Sequence, residues 1–140
     1  MMENSKEKNG VSIVINDLNK ILIFQAQFML AFPYLKLEFF LSVPGRKYYL
    51  SPCINPEETL GKYRCSPEKE NLAITEGMSR EDLDNKFIST YGLSVQLFRK
   101  SGKEWLRVTQ TDKWTMAQQN EQGMALARLM SLYLRQEAKK

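Results

Sequence analysis

Apolar and polar positions alternate along this chain in two periods, and their order predicts its elements. The clearest stretch is residues 71–109, NLAITEGMSREDLDNKFISTYGLSVQLFRKSGKEWLRVT. A short apolar run at 71–75 predicts a strand, and Gly77 ends it. Ser79, with Asp82 three residues on, predicts the capped start of a helix, and Met78 and Leu83 are spaced as a hydrophobic staple. Leu83, Phe87 and Tyr91 recur every four residues, which directs one stripe at a core. Gly92 suits the left-handed helix end. Leu93, Val95 and Leu97 then alternate with Ser94 and Gln96, as in a strand with one buried face. Ser101-Gly102 predicts a tight turn, with residues 104–109 as the returning strand.

The N-terminal third has the same order. Residues 1–10 are polar and predict a disordered tail. Val11, Ile13 and Ile15 predict a strand, and Asn16 or Asp17 would cap a helix running to about Phe32. Leu18, Ile21, Leu22, Phe28, Met29 and Phe32 are assigned to one face of it. Ile23, Phe24 and Leu30 fall outside that face. The helix is thus apolar over more than the usual width, and either a second layer of this chain or another subunit must cover the surplus. Pro33 ends the helix, and Leu35, Leu37, Phe39 and Leu41 alternate as a strand. Pro44-Gly45 predicts a type II turn with residues 46–50 returning. Leu35, Leu37, Phe39 and Phe40 match Leu93, Val95, Leu97 and Phe98 at an offset of 58, and Tyr48 matches Trp105 with one residue deleted. Duplication and independent use of one local grammar both explain the match.

Residues 51–70, with Pro52, Pro56 and Pro67, are the least regular, and residues 59–64 suit a short edge strand. Beyond Thr109, Thr115 with Gln118 forms a capping-box pattern. Leu126, Leu129, Met130 and Tyr133 make a helical stripe, with Met116 on an early turn. Gly123 marks either a break in this helix or a close crossing over another backbone.

The pattern predicts an α+β fold in one domain, residues 11–140. A mixed sheet of about five or six strands would come from two strand-helix-strand-hairpin units with helices on one face. Right-handed parallel crossovers would give it a ferredoxin-like tendency, and a C-terminal helix is added.

Composition narrows the chemistry. The 140 residues contain no histidine, which removes the commonest general base and metal ligand. Cys53 and Cys65 lack the spacing of a redox pair and cannot complete a zinc site, so reduced thiols are favoured over a disulfide. Residues 1–70 hold nine basic against eight acidic groups, and residues 71–140 hold eleven against eight. That excess permits an acidic partner without requiring one. The most apolar stretch, residues 21–32, is too short to span a membrane, and with no secretory signal visible a cytoplasmic location is expected.

The stretch LSVQLFRKSGKEWLRVTQTDKWTMAQQNEQG resembles a family of small uncharacterised bacterial proteins of the Bacteroidetes type. In that family the FRKSG turn, the following Trp and the TD-W-T-QN segment recur. The likeness covers the last third of the chain and, loosely, the first strand-helix-strand. It implies a small domain of unknown role and lends no site residues.

Four groups remain as candidate sites. Arg99, Lys100, Lys103, Trp105 and Arg107 interleave basic and aromatic groups on a hairpin, a nucleic-acid pattern that a half-buried, half-solvated strand pair also explains. Asp112, Trp114, Gln118, Gln119 and Asn120 open the last helix, and Glu81, Asp82 and Asp84 open the second. Capping and the helix dipole account for both. Ile23, Phe24 and Leu30, the surplus face of the first helix, point to a protein interface, with this chain or another as partner. No nucleotide-binding or catalytic motif occurs, so a non-enzymatic role with no cofactor, no metal and no membrane partner is expected.

Overall fold

A computed structural model describes residues 10–43, 53–67 and 72–138. The fold is α+β. Its elements run β1 (Ser12–Val14), α1 (Ile21–Ala31), β2 (Leu35–Leu41), a 3₁₀ turn (Leu60–Tyr63), β3 (Ala73–Thr75), α2 (Arg80–Tyr91), β4 (Leu93–Ser101), β5 (Glu104–Arg107) and α3 (Met116–Ala138). The strands form two sheets, a β1-β3 ribbon and a three-stranded β2-β4-β5 sheet, with antiparallel pairing throughout. The expected mixed sheet with parallel crossovers is therefore corrected. α1 and α2 each join strands of different sheets, so the crossover rule, which concerns strands of one sheet, does not apply. A ferredoxin-like order does not emerge from these pairings. The turn expected at Pro44-Gly45, its return strand at 46–50, the tail at 1–9 and Asn71 lie outside the described residues.

Local signals explain the second helix. Ser79 Oγ accepts from Asp82 N–H at 3.1 Å, and Asp82 Oδ2 accepts from Ser79 N–H at 3.0 Å, a complete capping box. Gly92 ends the helix at φ 66°. Leu83, Phe87 and Tyr91 are buried as their spacing predicts.

The first helix departs from expectation. It begins at Ile21, because Asn16 spends its side chain on a turn of its own, accepting from Leu18 N–H at 2.8 Å. Its core stripe is Ile21, Phe24 and Phe28, with Phe32 just beyond, whereas Leu18 and Met29 are exposed. Phe24, Phe28 and Phe32 are four apart, and that spacing sets the buried face. Phe24 packs on Phe87 of α2 (5.7 Å between ring centroids) and Phe39 of β2 (6.0 Å), and Phe39 meets Phe87 at 5.0 Å. This aromatic cluster sits on Leu35, Leu37, Leu93, Val95 and Leu97. The edge strand expected at residues 59–64 is instead a bridge at Thr59 followed by the 3₁₀ turn, where Gly61 N–H bonds Asp17 C=O at 2.9 Å.

The two units share long-range geometry as well as element order. Equivalent residues face each other across both sheets, Glu38 opposite Gln96 and Ile13 opposite Ile74. Backbone bonds recur in matched pairs. Ser42 N–H to Gly92 C=O (3.0 Å) answers Lys100 N–H to Tyr34 C=O (2.9 Å). Ile54 to Phe39 (3.1 Å) answers Val108 to Leu97 (2.9 Å). Leu60 to Asn19 (3.2 Å) answers Met116 to Met78 (2.8 Å), and Leu22 to Pro56 (3.0 Å) answers Glu81 to Asp112 (3.4 Å). These bonds join distant segments, so shared local grammar does not dictate them. Equivalent residues paired antiparallel in both sheets are what an internal duplication would leave.

The units differ at their ends. The first stops in the 3₁₀ turn, and Pro67 shortly after bars a helix from continuing. The second continues into α3, one unbroken helix of 23 residues. Thr115 and Gln118 cap it reciprocally at 3.1 and 2.9 Å. Gly123 is a close crossing, not a break: a Cβ there would lie 2.6 Å from Tyr34 Cβ. Among the described residues, no helix is long and apolar enough to cross a membrane.

Tyr34 Cβ cannot swing aside without its backbone. Gly123→Ala is therefore expected to lower stability in urea unfolding by about 1–3 kcal/mol, the usual cost of overpacking, although alanine is the better helix former.

Candidate functional site

The exposed apolar surface lies on two helices. In α1, ILIFQAQFMLA carries no charged residue. Ile23 and Leu30, seven residues apart, share its outer face, and Leu30 is 84% exposed. Phe24 is corrected: at 1% exposure it belongs to the core and offers nothing to a partner. In α3 the face that buries Met116, Gln119 and Gly123 on the sheet runs past the sheet's end. Residues 128–138 are exposed at every position, among them Leu129, Met130, Leu132 (53%), Tyr133 (62%) and Leu134 (68%). Leu129, Leu132 and Tyr133 share one flank, and Met130 and Leu134 share another, by the helical period.

Between this overhang and the body lies a groove of about 710 Å³. Ala127, Met130 and Leu134 form one wall, with Pro33, Tyr34 and the β4-β5 turn opposite. The turn is a two-residue loop, Gly102 and Lys103. Gly102 takes φ 65°, and a Cβ on it would touch Met130 Cε at 3.4 Å.

The basic and aromatic hairpin residues do not act as one patch. Arg99 turns toward α3, donating from Nη1 to Gln119 Oε1 at 2.7 Å, with its guanidinium 5.9 Å from the Trp114 ring centroid. Lys100 and Trp105 face the other side of the sheet, the ammonium 5.5 Å from the ring centroid. Lys36 joins them, 5.3 Å from Trp105 and 5.5 Å from Phe98. Lys103 is exposed in the turn, and Arg107 stands opposite Phe98 across the strands. Lys36 carries no signal of its own in the sequence, and only the β2-β4 pairing, which sets it opposite Phe98, brings it to this face.

The polar groups near helix starts have structural partners. Asp112 binds Arg80 at 3.1 Å, Gln119 donates to Thr111 C=O at 2.7 Å, and Asn120 accepts from Tyr34 N–H at 2.9 Å. Asp84 accepts from Val95 N–H at 2.8 Å and Ser94 Oγ at 3.0 Å. Cys53 and Cys65 are exposed thiols not joined in a disulfide, Cys65 Sγ donating to Thr90 C=O at 3.5 Å, and partial burial followed by the Glu38 charge pushes the Cys53 thiol up. No group of three or more metal-binding side chains occurs among the described residues.

One cluster had no local signal in the sequence. Asp17 accepts from Tyr91 Oη at 2.6 Å and from Arg64 Nη2 at 3.2 Å, and Arg64 Nε also binds it. Arg64 lies 5.2 Å from the Tyr91 ring centroid. The three residues come from a loop, the segment after the 3₁₀ turn and the end of α2, and they tie the two units together. Bonds from Arg64, then Tyr91, hold the Asp17 carboxyl below its ordinary 3.8. Burial, then the bond to Asp17, pushes the Tyr91 hydroxyl well above its ordinary 10.0. Nearby, burial and the Glu58 carboxylate push Tyr63 up to about 12.

Asp17 contributes stability above its unfolded pKa near 3.8, which is lost as pH falls through its lower folded value. Tyr91 contributes stability below its unfolded pKa near 10.0, which is lost as pH rises through its higher folded value. Tyr91→Phe is expected to cost about 1–2 kcal/mol at neutral pH and to flatten the alkaline limb of a stability-pH curve, whereas Asp17→Asn flattens the acid limb. Urea midpoints between pH 2.5 and 11 measure both. A scan against protein-family models finds no match for this chain, and searches of curated proteins and of solved structures find none either.

Proposed function

We propose that this is a non-enzymatic domain that works by protein association, and that it associates first with itself. The observation that carries this is the second half of α3. Eleven consecutive exposed residues hold five large apolar side chains, of which Met130 alone comes close to the β4-β5 turn at Gly102. A helix that short is marginal in water on its own. Contiguous apolar surface of this kind marks an interaction site in a folded protein. The charge-free outer face of α1, with Ile23 and Leu30, adds to the same reading.

Light scattering at tens of micromolar is expected to give a mass above the 16.3 kDa of one chain. Leu132→Glu combined with Tyr133→Glu should return it to the monomer with an unchanged circular dichroism spectrum. A wild-type chain that is monomeric at that concentration removes the reading.

A second reading, binding of single-stranded nucleic acid, is favoured by Lys36, Phe98, Lys100 and Trp105 sharing one sheet face. Rings supply stacking and ammonium groups neutralise phosphates, while Arg99, held by Gln119, drops out of the set. Oligonucleotide anisotropy should then weaken with salt, and Trp105→Ala should cost about 1–3 kcal/mol of binding. Binding indifferent to both changes sinks this second reading.

A further inference from the structure

We propose that a small carboxylate binds at Arg99, in a pocket between the β4-β5 hairpin and α3. The site is independent of the association proposed above. Among the described residues three arginines are half-buried, Arg64, Arg80 and Arg99. Two of them meet carboxylates. Arg64 binds Asp17, and Arg80 binds Asp112 at 3.1 Å and Asp84 at 3.6 Å. Arg99 has no ion pair among the described residues. Its guanidinium meets one neutral acceptor, Gln119 Oε1 at 2.7 Å, and the Trp114 ring, its centroid 5.9 Å away. An amide and a ring offset only part of the cost of withdrawing a cation from water, and an arriving anion removes the rest.

The guanidinium is also held in place. Gln119 is fully buried, and its amide donates to Thr111 C=O at 2.7 Å and to Thr111 Oγ1 at 2.9 Å, which turns its oxygen to Arg99. Nε and Nη2 of Arg99 make no hydrogen bond among the described residues. Arg99 borders a pocket of about 250 Å³, with the Ser101 and Thr111 hydroxyls and the apolar Leu106 and Leu126. None of the described residues that line it is acidic, and Asp112, next to Thr111, is taken by Arg80. Lys100 and Arg107 border it too, but alternation turns their side chains to the other face of the sheet, with Trp105 and Phe98. One guanidinium therefore sets the charge. Its planar fork matches the two oxygens of a carboxylate, and one positive charge balances one negative. A phosphate dianion would be only half compensated. At about 30 Å³ for each water displaced, the pocket suits a body of roughly ten non-hydrogen atoms, and the two leucines favour an apolar one.

Benzoate and its uncharged isostere benzamide test this on the full-length chain, with NMR at the Arg99 Nε–H and the Gln119 side-chain amide as the readout. Benzoate is expected to shift both saturably, with a dissociation constant of about 1 mM or tighter, which is within reach of a ligand that small. Benzamide should bind about tenfold more weakly or not at all. Arg99→Lys keeps the charge and loses the fork, and should weaken benzoate about tenfold, while Arg99→Gln should abolish its binding. If either variant fails to fold by circular dichroism, the contrast between benzoate and benzamide on the wild-type chain decides. The proposal is overturned by the lack of a saturable shift below about 20 mM, by equal binding of benzamide, or by shifts confined to the groove at Met130 and Leu134. Undiminished benzoate binding to a folded Arg99→Gln chain overturns it as well. Inorganic phosphate bound more tightly than benzoate overturns the carboxylate assignment in favour of a phosphate.

Discussion

The antiparallel pairing of β2 with β4 is the constraint on which the rest of this molecule depends. It places Glu38 directly opposite Gln96, and from that point each unit completes the other. Leu35, Leu37 and Phe39 from one strand and Leu93, Val95 and Leu97 from its neighbour make one apolar floor. Phe24, Phe28 and Phe87 stand on that floor. Each strand is prolonged by a bond to the loop that precedes the other, Ser42 to Gly92 and Lys100 to Tyr34. A one-residue slip would turn every one of those side chains to the opposite face. The register is therefore fixed by burial on one side and by matched backbone bonds at both ends.

Much of this was legible in the sequence because the signals were local. The capping box at Ser79 and Asp82, the glycine end at Gly92 and the alternation from Leu93 each depend on neighbours within four residues, and each is present. What was illegible depended on distant partners. Strand direction could not be read, because a helix between two strands looks the same whether they share a sheet or belong to two. The phase of α1 was misjudged because its apolar residues nearly encircle it, so pattern alone allowed Leu18 and Met29 in the core and left Phe24 out. The Asp17-Arg64-Tyr91 cluster was invisible for the same reason: its members lie 47 and 74 residues apart.

The candidate surfaces were legible in part. Surplus apolar character on α1 was visible, and Ile23 and Leu30 are exposed. The larger apolar surface, on α3, read as an ordinary core stripe. Leu126, Leu129, Met130 and Tyr133 have the spacing of a buried face, yet Leu126 is only half-buried and the other three are exposed. On the hairpin, adjacent residues on a strand face opposite ways, and that separates Arg99 from Lys100.

The pairing of equivalent strands also governs how the chain reaches this state. Outside the local β4-β5 hairpin, every sheet pairing joins residues 52 to 64 positions apart. Contact order is accordingly high for a chain with three helices, and folding should be slower than the helical content suggests. During synthesis β2 emerges first, with its greasy edge unpaired until β4 has left the ribosome. Throughout that interval the nascent chain is most exposed to pairing with a neighbour's β4, which offers the same register as its own.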